Sequence, residues 1–525
     1  MSLDTRIDAT AATSVRSDGY WEDPRQQTDA LGSPTDLNRN ALPEAGNSEG
    51  PEPLSLLPGA DSAITIDGGS SNPSQRSERS TPDGKPIQVD PLHDGDQATI
   101  ARERTLADAG LGRTYVSSDQ LVFTTNGTGN DQVQVSQRTD GTVVVSVNGE
   151  EYDVALAERQ ELTLRVGAGD DLVEVAPNVR VNIVVDGGDG DDSITTGAGD
   201  DRIDGGAGND TVSTAGGRDD IFGNSGEDTV DAGEGDDVVY GGDGADVLAA
   251  GEGTNFIEAG AGDDQVNGSL GINMISAGTG DDHVTSGGDN SIYLGRGTDA
   301  VEGATTDDKV YAEDIDAVRF AAGQRDSSQV VVNVEIDGSL GTRGVTVEGS
   351  PAFRQRVEAE LEFLRSSPNG QQMLAQFDQA AVQGNTVTIR ELANEQNGYA
   401  QTLGRGSAEI RNGRAGEGSD VIISYNPSFH MAEFPAPVVV LYHEMSHAYN
   451  GVTGTFQPGT YRGTGPDSGS VPNAERQAVG LETSAPAFDF DGDPSTAPTT
   501  HNPIELTENG LRRELGLPDR PNYTL

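Results

Sequence analysis

An aliphatic residue returns at every ninth position from Ile194 to Val284, through Ile203, Val212, Ile221, Val230, Val239, Leu248, Ile257, Val266 and Ile275. Four residues before each stands a glycine, from Gly190 to Gly280, and two residues before each stands an aspartate, replaced only at Asn255 and Asn273. A flexible Gly/Asp linker has no reason to keep aliphatic residues in phase over eleven units. Each unit holds a turn-forming glycine, one carboxylate and one inward residue, so it can bury apolar surface only by stacking on its neighbours. Two units per coil predict a parallel β-roll of between five and six coils.

The unit reads G-G-x-G-x-D-x-U-x and resembles the calcium-binding nonapeptide of RTX proteins. Glycine permits the sharp turn, and aspartate supplies the hard oxygen ligands that calcium takes. The expected calcium ligands are Asp192, Asp201, Asp210, Asp219, Asp228, Asp237, Asp246, Asp264 and Asp282. Carboxylates are missing around Asn255 and from Gly268 to Ile275, where calcium is expected to bind weakly. After Val284 the phase slips by one residue, to Ile292 and then Val301, and the charged Thr306–Lys309 stretch follows. This reads as the end of the roll, which is assigned to residues 186–301.

Charge supports the same reading. With 87 Asp and Glu against 33 Lys and Arg, the formal charge is −54. Such an excess argues for bound cations and against nucleic acid or an anionic membrane as partner. No apolar run is long enough to span a bilayer, and cysteine is absent, so no disulfide is available.

The flanks differ from the roll and from each other. Residues 1–113, rich in Ser, Pro, Asp, Gly and Gln, read as a disordered arm whose start lacks the apolar run of a cleavable secretory signal. Alternating runs at Leu121–Thr125, Asp131–Ser136 and Thr142–Val147, with an Asn148-Gly149 turn, predict a small antiparallel β cap over 114–185. A second cap or linker over 302–347 is expected from the runs at Gln329–Ile336 and Gly344–Val347. From residue 348 to 525 the pattern is α+β. Ser350-Pro351 and Ser367-Pro368 each start a helix, short strands follow, and Pro437 leads into a helix that Gly451 is expected to close.

That last helix carries His443, Glu444 and His447, the H-E-x-x-H spacing of a zinc hydrolase. Residues four apart share a helix face, so both imidazoles reach one ion while Glu444 stands where it can deprotonate an activated water. A third ligand is required. The positions that some zinc peptidases fill with glycine and histidine hold Asn450 and Thr453, so that class is excluded. Glu475, at the start of a short downstream helix, is the preferred candidate, with Glu482, Asp467 and His501 as alternatives. Arg520 and Tyr523 could bring a guanidinium and a phenol to the oxyanion, or could simply pack the tail.

Several ordered blocks make the C-terminal third resemble the NleD-like zinc metallopeptidases, effectors injected by type III secretion. The blocks are Gly349–Phe353, Leu364–Gly370, His443–Tyr449, Asn473–Leu481, Phe488–Pro494 and Thr507–Tyr523. The resemblance implies a zincin-like domain with His443, His447 and Glu475 as zinc ligands and Glu444 as general base. It also implies a protein substrate, with host signalling proteins such as mitogen-activated protein kinases as the class. RTX rolls, by contrast, resemble proteins exported by type I systems, so the two halves imply different export routes. The chain thus reads as a secreted zinc endopeptidase with a calcium-dependent roll. The alternative is an extracellular calcium-binding structural protein with an inactive peptidase-like end.

Overall fold

The computed structural model describes residues 64–71, 74–110, 113–323, 330–392, 399–403, 408–428, 434–492 and 495–524. Strands that lie two apart in the chain pair in parallel, which builds two long sheets facing each other across a narrow core. Ile203, Ile221, Val239, Ile257 and Ile275 align across one sheet. Ile194, Val212, Val230, Leu248, Val266 and Val284 align across the other. All of these are buried in one cluster, so the repeated aliphatic residue is the spine of the roll. Glycine serves the tightest contacts between coils. At Gly244 the backbone has φ +146°, and a Cβ would lie 1.7 Å from the Gly226 carbonyl oxygen of the coil below.

One aspartate per half-coil forms the edges. The Asp192 N–H donates to Asp210 Oδ1 at 2.8 Å, and the same bond repeats from Asp210 to Asp228 and from Asp228 to Asp246. Each of the nine expected calcium ligands keeps its Oδ2 buried with no hydrogen-bond partner, as do Asp171 and Asp299. A bare carboxylate oxygen in that setting is costly unless a cation or a proton meets it. The residues present therefore fit calcium. At Asn255 and Asn273 the side chains satisfy one another instead, with Asn255 Nδ2 donating to Asn273 Oδ1 and Asn273 Nδ2 to Asn290 Oδ1.

The roll is longer than expected, with about nine coils over residues 162–333. The one-residue slip does not end it. Ile275 pairs with Ile292 and Val284 with Val301, then Val310 and Val331 continue the stack. The deletion falls in turns, and the strands keep their register because the inward residue sets it. Thr306–Lys309 is one more turn leading into Lys309–Ala312. Val345–Glu348, expected to cap the roll, pairs instead with Val387–Glu391 of the C-terminal domain.

The disordered-arm boundary at residue 113 also needs correction, and its first 63 residues lie outside the described ones. Strands Ile64–Asp67, Ser77–Ser80, Pro86–Asp94 and Ala98–Gly110 extend the two sheets. This segment is too poor in apolar residues to build a core alone, but Ile66, Ala98 and Ile100 bury against the open end of the next coils. Asp90, paired with Arg76 and Arg104 at 2.7 Å each, neutralises part of its polar face. Val143–Val147 pairs antiparallel with both Gln132–Gln137 and Glu150–Ala155, with Asn148 (φ 50°) and Gly149 (φ 83°) at the turn.

Among the described residues the C-terminal domain has five α-helices: α1 (Pro351–Ser366), α2 (Pro368–Val382), α3 (Pro437–Thr453), α4 (Asn473–Val479) and α5 (Glu508–Glu514). Helices α1, α2 and α3 pack against a four-stranded mixed sheet, and α4 and α5 pack on α3. Ser350 and Ser367 cap α1 and α2 by accepting from the Phe353 and Gly370 amides. Helix α3 is buried from Pro437 to Val452 and stops at Gly454 (φ 72°), not at Gly451, which remains helical. The described residues therefore form a β-solenoid followed by an α+β domain. No helix among the described residues is long and apolar enough to cross a membrane.

Candidate metal centre

Helical periodicity stacks His443 over His447 on α3, with ring centroids 4.9 Å apart. Helix α4 brings Glu475 against both. Its Oε2 lies 3.0 Å from His447 Nε2 and 3.6 Å from His443 Nε2. Ligands bonded at about 2.0–2.2 Å around a tetrahedral zinc stand roughly 3.3 Å apart, so these separations fit one ion. The three ligand atoms lie within 4.8 Å of one another, and all three residues are buried. Among the described residues this is the one His/Cys/Asp/Glu group so arranged.

The alternatives for the third ligand are engaged elsewhere. Asp467 pairs with Arg476 and accepts the Tyr523 and Thr524 amides at 2.9 Å, which pins the C-terminal tail. Glu482 binds the Thr500 hydroxyl, and His501 Nδ1 faces the Asn502 carbonyl at 2.6 Å. Asn450, which excluded one ligand pattern, ties the back of α3 to the loop before α5. Its Nδ2 donates to Asn502 Oδ1 at 2.8 Å, Gln477 of α4 donates to the same oxygen, and Asn502 donates to Ser446. This network fixes the angle between the two helices that carry the three candidate ligands.

Glu508 was not legible as part of the site. It follows Thr507, which caps α5, and reads as an ordinary acidic first-turn residue. In the structure its Oε2 lies 2.9 Å from His443 Nδ1. Such a carboxylate accepts a hydrogen bond from Nδ1–H, which fixes the tautomer and leaves Nε2 as the ligand atom. Burial alone would lower the His443 pKa, but the Glu475 and Glu508 carboxylates raise it to about 10. Burial would raise Glu508, yet Arg520 and His443 bring it down to about 2. Glu475 is likewise held well below the usual carboxylate range, because the two imidazoles outweigh its burial. Two imidazoles and a carboxylate converging on one buried point are an arrangement that fits a divalent ion.

The expected partnership of Arg520 and Tyr523 on one oxygen does not hold. Arg520 is buried with Nη1 on Glu508 Oε2 at 3.0 Å, Nε on the Asn522 carbonyl at 3.1 Å and Nη2 on the Tyr523 carbonyl. Its guanidinium points at the support for His443. Tyr523 does face the cluster, with its ring 6.3 Å from that of His443. Burial, then the nearby Glu475 charge, raises its pKa well above the usual phenol value. Glu444 is buried beside His443. If the cluster holds a metal ion, Glu508→Gln is expected to weaken its binding about 10- to 100-fold, read by competition with a chelator.

Residues 341–523 match the family model of peptidase M91, described as an effector protein. Four copies of the RTX calcium-binding nonapeptide repeat match at 184–212, 213–248, 240–275 and 267–301. No curated protein matches the chain. Together the two matches support a peptidase effector that carries calcium-binding repeats.

Proposed function

We propose that this chain is a secreted zinc-dependent endopeptidase that cuts peptide bonds of host proteins, with a calcium-dependent β-roll in front of the catalytic domain. The observation that carries the reading is the buried cluster of His443, His447 and Glu475 with Glu444 beside it. His443, His447 and Glu475 would hold the zinc. When bound, that ion polarises a scissile carbonyl and lowers the pKa of a bound water towards about 7.

The remaining roles belong to the chain. Glu444 accepts the proton of the attacking water and returns it to the leaving amine. Tyr523, whose raised pKa keeps its hydroxyl protonated, is the donor to the oxygen that becomes negative as water adds. Arg520 takes no part in that contact and instead holds Glu508, which orients His443. The substrate class, host signalling proteins such as kinases, comes from the resemblance of the catalytic domain to injected effectors.

Zinc content of the purified full chain tests the reading, together with a search for new protein N-termini in host lysate exposed to it. One tightly held zinc per chain and a defined set of cleavages are expected. A chain that holds no zinc would point to the structural calcium-binding alternative.

A further inference from the structure

The roll's outward face changes character along its length. On the sheet that carries Ile203, the residues beside the inward row are Arg202 and Asp204 in one coil. In later coils the outward positions hold Phe222, Tyr240, Phe256, Met274, Tyr293 and Tyr311. All six belong to the same buried cluster as α1, α2, α3 and the C-terminal sheet. The catalytic domain is thus built onto the roll, with Phe363 of α1 packed edge-on against Phe256 and Tyr293.

Two of those residues reach the helix that supports the metal cluster. Tyr293 and Tyr311 stack at 4.3 Å. The Tyr293 hydroxyl donates to Glu514 Oε1 and the Tyr311 hydroxyl to the Glu514 carbonyl, each at 3.2 Å. Glu514 Oε2 also accepts the Asn369 amide at 3.0 Å, and Asn369 Nδ2 donates to the Gly510 carbonyl at 2.9 Å. Glu514 ends α5 and Glu508 begins it. A helix of seven residues has negligible stability of its own, so its contacts, those at its two ends among them, set where it lies. One end is held by the roll, and the other holds His443.

We infer that Tyr293 and Tyr311 of the roll, acting through Glu514, are positioning residues of the zinc site: they set α5 so that Glu508 meets His443 Nδ1. The inference rests on the zinc peptidase reading. It makes the roll a structural part of the enzyme and not a detachable carrier, because the support for a zinc ligand is anchored across the junction between the two parts.

The test uses the full chain with calcium present and compares wild type, the Tyr293→Phe/Tyr311→Phe double variant, and Tyr240→Phe as control. Tyr240 lies on the same interface but donates to Glu360 of α1, away from α5. Zinc affinity is read by chelator competition, and the ligand field by the visible spectrum of the cobalt-substituted protein. The double variant is expected to fold with wild-type circular dichroism, to bind zinc about tenfold more weakly, and to show a shifted cobalt spectrum. Its kcat is expected to fall with KM little changed, and the control is expected to match wild type. Should the double variant fail to fold, Glu514→Gln gives the same readouts with less change in volume. Zinc affinity and cobalt spectrum equal to wild type in the variant that folds would overturn the inference alone. Absence of zinc from wild type itself would overturn the peptidase reading and this inference with it.

Discussion

Glu444→Gln is expected to abolish peptide hydrolysis, by about 10²- to 10⁴-fold, while zinc binding stays near the wild-type level. The size of the effect follows from the role assigned to one carboxylate. A glutamine of the same shape can accept a hydrogen bond from water but cannot take its proton or return it to the amine. The selectivity follows from geometry, because the three atoms positioned to bind the ion belong to His443, His447 and Glu475. Glu475→Gln differs in kind, since it removes the charge that sits 3.0 Å from His447 and 3.6 Å from His443. That variant is expected to lose zinc and activity together. Measuring both zinc content and the rate of new N-terminus formation separates a base from a ligand. Wild-type cutting by the Glu444 variant would remove the proposed mechanism.

The parts of this architecture that repeat were legible because repetition averages out ambiguity. The inward row, the glycine turns and the aspartate edges all follow from one nine-residue phase. Where the phase loosened, the reading stopped early: the coils after Val284 keep the inward aliphatic residue but not the full glycine and aspartate pattern. A further signal was present and unread. In alternate nonamers the residues flanking the aliphatic position turn large and apolar, as at Phe222, Tyr240 and Phe256, which a solvated sheet has no use for. That pattern marks the docking face. The helix that carries His443 and His447 was legible from their spacing, and Glu475 was the preferred third candidate from its place on a downstream helix. The choice among Glu475, Glu482, Asp467 and His501 depended on loop paths that local sequence does not encode. Glu508 was hidden for a different reason: an acidic residue in a first helical turn already has a sufficient local role. The same holds for Arg520, whose partner is set by how the tail folds back under Asp467.

Removing calcium is expected to melt the roll, and the loss should deepen as pH rises. Asp192, Asp219, Asp237, Asp246 and Asp282 each bury an oxygen with no partner, and burial pushes their pKa up to between about 7 and about 8. Asp201, Asp210, Asp228 and Asp264 are raised to about 6 by the same cause. In the unfolded chain these groups titrate near the ordinary value of about 3.9. The metal-free folded roll therefore binds more protons than the unfolded chain between those limits, so its stability falls as pH rises through about 6 to 8. Calcium removes the dependence by replacing the protons, and its affinity rises with pH over the same window. Far-ultraviolet circular dichroism should show β structure lost on chelation at pH 8, recovered on adding calcium, and better retained on chelation at pH 5. Asn255, Asn273 and Asn290 should matter here, because their amide ladder satisfies itself without a cation. Restoring carboxylates there, as in Asn255→Asp with Asn273→Asp, should increase the number of calcium ions bound and make the chelated roll less stable. Unchanged dichroism on chelation at both pH values would show that the buried carboxylates are neutralised by something other than calcium. The pH dependence also bears on the catalytic domain. Its α1 packs on coils whose edges titrate, so chelation at pH 8 should release the docking face and expose Phe363 and its neighbours to solvent.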